Sequence, residues 1–148
     1  MRLRDEMPDL NVVKTWMNTH SVIKKELQGK PTLVHFWSIS CSSCKSQLKR
    51  INILQKQYSE DLNVVGVHMP RSDEDKDIKK IRDVVNEYQM HYPVAVDNDD
   101  RLTKVFRNQT VPSYYIFDEH GVLRYNQASA STMGLFERRI HRIVRKSS

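Results

Sequence analysis

Between Thr32 and Tyr58 the chain changes its hydrophobic period once, and that change limits the folds open to it. Thr32-Leu-Val-His-Phe-Trp37 is a nearly continuous apolar run of β-forming residues, the pattern of a strand buried on both faces. Beyond it Cys44, Leu48, Ile51, Leu54 and Tyr58 recur at helical steps, which lays one stripe along a helix. A buried strand has therefore ended, and a helix begun, within the few residues Ser38–Cys41. The chain's only two cysteines, Cys41 and Cys44, stand at that junction, separated by Ser42 and Ser43.

The rest of the chain repeats the alternation. Leu62–His68 reads as a second strand, ended by Pro70. Ser72-Asp-Glu-Asp-Lys-Asp77 then opens a helix with an acidic first turn, whose buried stripe is Ile78, Ile81, Val85 and Tyr88. Pro93–Asp97 is a brief strand and Asp100–Phe106 a two-turn helix. Ser113–Asp118 and Val122–Asn126 form an antiparallel hairpin through the loop Glu119-His-Gly121. Met133, Phe136, Ile140 and Ile143 mark a last helix, while Leu10–Val13 and a short helix over Ser21–Leu27 precede the first buried strand. Strands alternating with helices predict an α/β layer fold, and 148 residues suit one domain spanning 1–148.

Composition narrows the class further. The 24 Lys and Arg against 18 Asp and Glu leave a net charge of +6. The cations are scattered, except for Arg138, Arg139, Arg142, Arg145 and Lys146, which fall on the last helical pattern, where they complement the helix dipole. We expect no nucleic-acid partner. The opening Met1-Arg-Leu-Arg-Asp-Glu breaks with charge, and no run approaches the roughly 18 apolar residues of a membrane span. The expectation is a cytoplasmic monomer without a membrane anchor.

Three chemistries suit a Cys-x-x-Cys pair. As a staple it would close so small a ring that the loop formula gives only about 2 kcal/mol. As half of a zinc site it needs two more ligands, yet the six histidines form no His-x₃₋₅-His pair. Redox exchange suits the junction better. A thiol at a helix N-terminus faces unpaired N–H groups and the positive dipole end, which lower its pKa from about 8.5 into the range of roughly 3.5–7.5. A thiol on the apolar stripe has its anion disfavoured. The pair predicts an exposed attacking Cys41 and a sheltered resolving Cys44, one turn apart and able to meet as a disulfide.

With Phe36-Trp37 before the cysteines and Thr110-Val-Pro112 before the hairpin, the sequence resembles the thioredoxin superfamily. The helix over residues 73–90 and the N-terminal Met7-Pro-Asp-Leu10 resemble the TlpA/ResA-type branch. The resemblance implies a central mixed β-sheet flanked by helices, with an N-terminal extension and an inserted helix. It also implies dithiol–disulfide exchange with protein substrates and a cis peptide at Val111-Pro112. Ile39, Ser40, Val111 and Pro112 would then bind the substrate chain. Disulfide- or dithiol-bearing proteins are the expected partners, with an external reductase or thiol pool to renew the dithiol. No metal or organic cofactor is expected beyond the redox-active Cys41–Cys44 disulfide.

Several positions depart from the pattern. Ser40 replaces the usual Trp, and Ser42-Ser43 the usual Gly-Pro, offering hydroxyls that either donate to a thiolate or cap the helix. His35 stands where thioredoxins bury an Asp, as a proton relay for Cys44 or as a satisfied core histidine. Gln47 replaces a Glu of the ResA type, and an amide relays no proton. Trp37 is expected to pack beside the disulfide, and His68, His91, His120 and His141 to be structural or solvated. Two rivals remain: a metal carrier using Cys41 and Cys44, and a peroxidase, although the Pro and Thr preceding a peroxiredoxin cysteine are missing.

Overall fold

The computed structural model describes residues 1–128 and 133–147. Among the described residues six strands form one sheet in the order β1-β4-β3-β2-β5-β6. They are β1 (Trp16–Met17), β2 (Thr32–Trp37), β3 (Asn63–His68), β4 (Val94–Val96), β5 (Ser113–Phe117) and β6 (Leu123–Gln127). The pairs β2–β3 and β3–β4 are parallel, while β1–β4, β2–β5 and β5–β6 are antiparallel, so the sheet is mixed as expected. The helices are α1 (Lys24–Leu27), α2 (Ser42–Gln57), α3 (Ile78–Glu87), α4 (Arg101–Phe106) and α5 (Met133–Ser147).

Parallel neighbours need crossovers, and crossovers of one hand put α2 and α3 on the same face of the sheet. There Leu48, Ile51, Ile81, Val85, Phe136 and Ile140 pack with Leu33 and Trp37 of β2 and with both cysteines. The opposite face takes Leu10, Leu102 and Phe106 against Val34, Phe36, Tyr115 and Phe117. Every residue of β2 is buried, which explains its uninterrupted apolar run.

Two features differ from expectation. After a 3₁₀ turn at Leu10–Val12, β1 is an added edge strand of two residues. The inserted helix is broken: Asp73–Lys76 is a 3₁₀ turn, Asp77 is extended, and α3 starts at Ile78. The physical reason is Asp77, whose Oδ1 accepts from the N–H groups of Lys79 and Lys80 and so restarts the helix as an N-cap. In the hairpin, Gly121 adopts φ +78° in the expected loop, and the Asp118 carboxylate accepts from His120 and Val122 N–H.

Gly66 of β3, paired with His35 of β2, makes room for the site. A Cβ there would stand 3.2 Å from His35 Nε2 and 3.3 Å from Trp37 Nε1. Both rings are buried, and His35 is tied to the Tyr92 hydroxyl. We therefore expect Gly66→Ala to destabilise the protein by about 1–3 kcal/mol, read as a lower midpoint in chemical denaturation.

Candidate active site

Cys41 is the N-cap of α2, and Cys44 is the third residue of the helix, so the pair lies at the helix tip. The sulfurs are joined as a disulfide, with Cα atoms 5.3 Å apart. Cys41 Sγ accepts the backbone N–H of Cys44 at 3.2 Å, filling the role a Ser or Asp oxygen usually takes at an N-cap. The sulfur is thus held against one of the unpaired donors that begin a helix, where negative charge is favoured. Ser43 Oγ stands 3.5 Å from the same sulfur, and the exposed Ser42 makes no hydrogen bond to it.

One expectation needs correcting. Cys41 is not exposed in the disulfide form: it retains 3 % of its surface, against 2 % for Cys44. Its side chain lies in the buried cluster that holds Trp37 and Cys44, to which it is joined. The two cysteines differ in what they touch rather than in how much water they see.

Around them, Val111-Pro112 is cis, as expected. Val111 is half-buried, and neither its N–H nor its C=O is hydrogen-bonded among the described residues. Ile39 is half-buried, Ser40 is exposed and Pro112 is buried. Trp37 is buried in the same cluster as both sulfurs, and its Nε1–H has no partner among the described residues. Gln47 is half-buried one turn past Cys44, with Oε1 enclosed and unpartnered among the described residues.

His35 is 1 % exposed and shares a 2.9 Å hydrogen bond between Nε2 and the Tyr92 hydroxyl. Burial lowers its pKa to about 3, so the ring is neutral and a poor base. Tyr92, also buried, has its ionisation pushed far upward by the same burial. This arrangement is that of a satisfied core histidine, and the partner that satisfies it lies 57 residues away in sequence.

Two residues that the sequence did not tie to the site hold the Ser38–Ser40 loop, and His68, one of them, is structural as expected. The enclosed His68 accepts the Ile39 N–H at Nε2, 3.1 Å away, which places its own proton on Nδ1. Nδ1 is buried without a partner among the described residues. Burial lowers the His68 pKa to about 4, against an opposing pull from Asp75. Asp75, 3 % exposed, accepts at Oδ2 from Ser38 Oγ at 2.9 Å, Ser40 Oγ at 2.7 Å and Arg71 N–H at 2.8 Å. Burial pushes its pKa up, but these three donors and the nearby His68 together hold it below the usual carboxylate value. A polar residue inside the apolar run Leu62–His68 was the one available signal for His68. Nothing marked Asp75 among its acidic neighbours.

No helix among the described residues is long and apolar enough to cross a membrane. A family model described as AhpC/TSA family matches residues 3–126. The chain is 44 % identical over 144 residues to the thiol-disulfide oxidoreductase YkuV of Bacillus subtilis, covering 97 % of both sequences. It is 26 % identical over 121 residues to the thiol-disulfide oxidoreductase ResA of Bacillus anthracis, covering 82 % of this chain and 66 % of that one. A solution structure of a thioredoxin-like protein in its oxidised form superposes with a TM-score of 0.92 at 44 % identity, over the whole of both chains. With the disulfide at the tip of α2 and the mixed sheet behind it, the chain belongs to the AhpC/TSA family and is a thioredoxin-like thiol–disulfide oxidoreductase.

Proposed function

We propose that Cys41 is the attacking sulfur and Cys44 the resolving one, acting on disulfides of other proteins. The observation that carries this reading is the hydrogen bond from Cys44 N–H to Cys41 Sγ. A thiolate is a stronger acceptor than a disulfide sulfur, so the helix tip stabilises Cys41 most once the disulfide is reduced. Reduction also breaks the Cys41–Cys44 bond and frees the Cys41 sulfur, still held by the Cys44 N–H, to meet a substrate beside Ser40 and Val111. The substrate chain lies over Ile39 and Ser40 and pairs with the unused backbone groups of Val111, next to the cis bond to Pro112.

Cys41 thiolate attacks one sulfur of the substrate disulfide, forming a mixed disulfide and expelling the other sulfur as thiolate. Cys44, deprotonated, then attacks Cys41. The substrate leaves with two added electrons, and the enzyme holds the Cys41–Cys44 disulfide. An external thiol pool or reductase returns the two electrons. This cycle needs no metal or organic cofactor, and it suits a compartment that keeps thiols reduced.

The test is Cys44→Ser, which leaves the first step intact and removes the second. Incubated with cell extract, the variant is expected to accumulate reducible adducts mapped to Cys41. If Cys41 captures no protein, the assignment is wrong.

A further inference from the structure

The exchange cycle assigns no role to Arg71 or Asp75, although both grip the residue that leads into Cys41. Arg71 donates from Nε to Ser40 Oγ at 3.1 Å and from Nη2 to the Ser40 carbonyl, the oxygen of the Ser40–Cys41 peptide bond. Asp75 takes the Ser40 hydroxyl from the protein side at 2.7 Å, and Ser38 Oγ lies 3.3 Å from the same hydroxyl. With His68 on Ile39 N–H and Cys41 N–H on the Ser38 carbonyl, the whole approach to the sulfur is tied down.

The two gripping residues bring opposite charges. Arg71 is exposed and makes no ion pair among the described residues, whereas Asp75 is enclosed. Other ionisable groups on the surrounding elements are His35 on β2, His68 on β3, Asp73, Glu74 and Lys76 on the 3₁₀ turn that carries Asp75, and Lys45, Lys49 and Lys56 on α2, where the Lys45 N–H bonds the Cys41 carbonyl. Farther along α2, Arg50 is ion-paired with Glu137 of α5, and Thr110–Pro112 carries no ionisable side chain. Arg71 and Asp75 are therefore the only two charged side chains bonded to the Ser38–Ser40 loop among the described residues.

Resting on the reading of Cys41 as the attacking sulfur, we propose that Asp75 and Arg71 are positioning residues that set the ionisation of the Cys41 thiol from opposite directions. Asp75 opposes the thiolate and Arg71 favours it, through charges fixed by their shared hold on Ser40. A thiolate stabilised in the dithiol form makes the disulfide easier to reduce, so both residues also set the redox poise.

The test uses the full chain in its dithiol form. Alkylation by iodoacetamide is followed against pH and mapped by mass to each cysteine. Separately, the disulfide is equilibrated with glutathione, one protein disulfide and two glutathione thiols giving one protein dithiol and one glutathione disulfide. Trp37 fluorescence is the readout. Asp75→Asn is expected to lower the Cys41 alkylation midpoint and to shift the equilibrium toward dithiol by about threefold or more. Arg71→Gln is expected to move both quantities the other way, and Arg71→Lys, which keeps the charge, to restore them. High salt should shrink the Arg71 effect and spare that of Asp75, because only the former faces solvent.

Both variants leaving midpoint and equilibrium at wild-type values, with only thermal stability reduced, would make the pair a structural latch and overturn the proposal. Shifts in the same direction overturn it too. Should Asp75→Asn not fold, Arg71→Gln and Arg71→Lys, at an exposed side chain, decide between the two outcomes by themselves. Alkylation found on Cys44 in place of Cys41 would instead remove the attacking-sulfur assignment, and this inference with it.

Discussion

Cys41→Ser is expected to abolish disulfide exchange while leaving the fold in place. A serine oxygen forms no mixed disulfide, and Cys44 sits inside α2, buried at 2 % exposure on the apolar stripe. Turnover of a protein disulfide, followed with dithiothreitol as reductant, should fall by at least about a thousandfold. The stability cost should be small, because serine is a better N-cap than cysteine and can accept the same Cys44 N–H. Against the oxidised wild type the variant loses the short disulfide loop, about 2 kcal/mol by the loop formula, and against the reduced wild type almost nothing. Thermal melts of all three forms separate the chemical loss from a folding loss. Retained turnover would sink the nucleophile assignment.

The central part of this site was legible because its determinants are local. The run Thr32–Trp37 declared a buried strand with the bounds the structure has, and the stripe from Cys44 to Tyr58 declared the helix that runs Ser42–Gln57. What stayed hidden depends on distant partners. Asp75 sits among Asp73, Glu74 and Asp77, each equally suited to an acidic first turn, and the choice of which turns inward is made by Ser38 and Ser40, 37 and 35 residues away. His35 could be placed in a strand, yet nothing local named Tyr92 as its partner. The strand Trp16–Met17 is too short to show any period. The burial of Cys41 escaped for another reason: an N-cap position places a side chain at a tip but does not say whether distant residues will pack around that tip.

Stability is expected to fall steeply as the pH drops below about 6.5, the unfolded histidine value. His35 and His68 are buried and neutral, with folded pKa values of about 3 and about 4. Between those values and about 6.5 the unfolded chain binds protons at both sites and the folded chain does not, so stability rises with pH across the window. The contribution is complete above about pH 6.5 and is lost progressively below it, at up to about 1.4 kcal/mol per pH unit for each histidine. At about pH 4.5 the two together remove about 5 kcal/mol, comparable to the whole stability of a marginal domain. Asp75 and Asp118, both held below the usual carboxylate value, contribute in the opposite sense to a group with a raised pKa. Their share is present above about pH 3.9 and fades only at lower pH, so it leaves this window untouched. Urea denaturation at a series of pH values measures the slope directly. His68→Gln should roughly halve it, since one of the two buried imidazoles is then gone, and a flat profile between about pH 6.5 and 4.5 would contradict the burial of both rings.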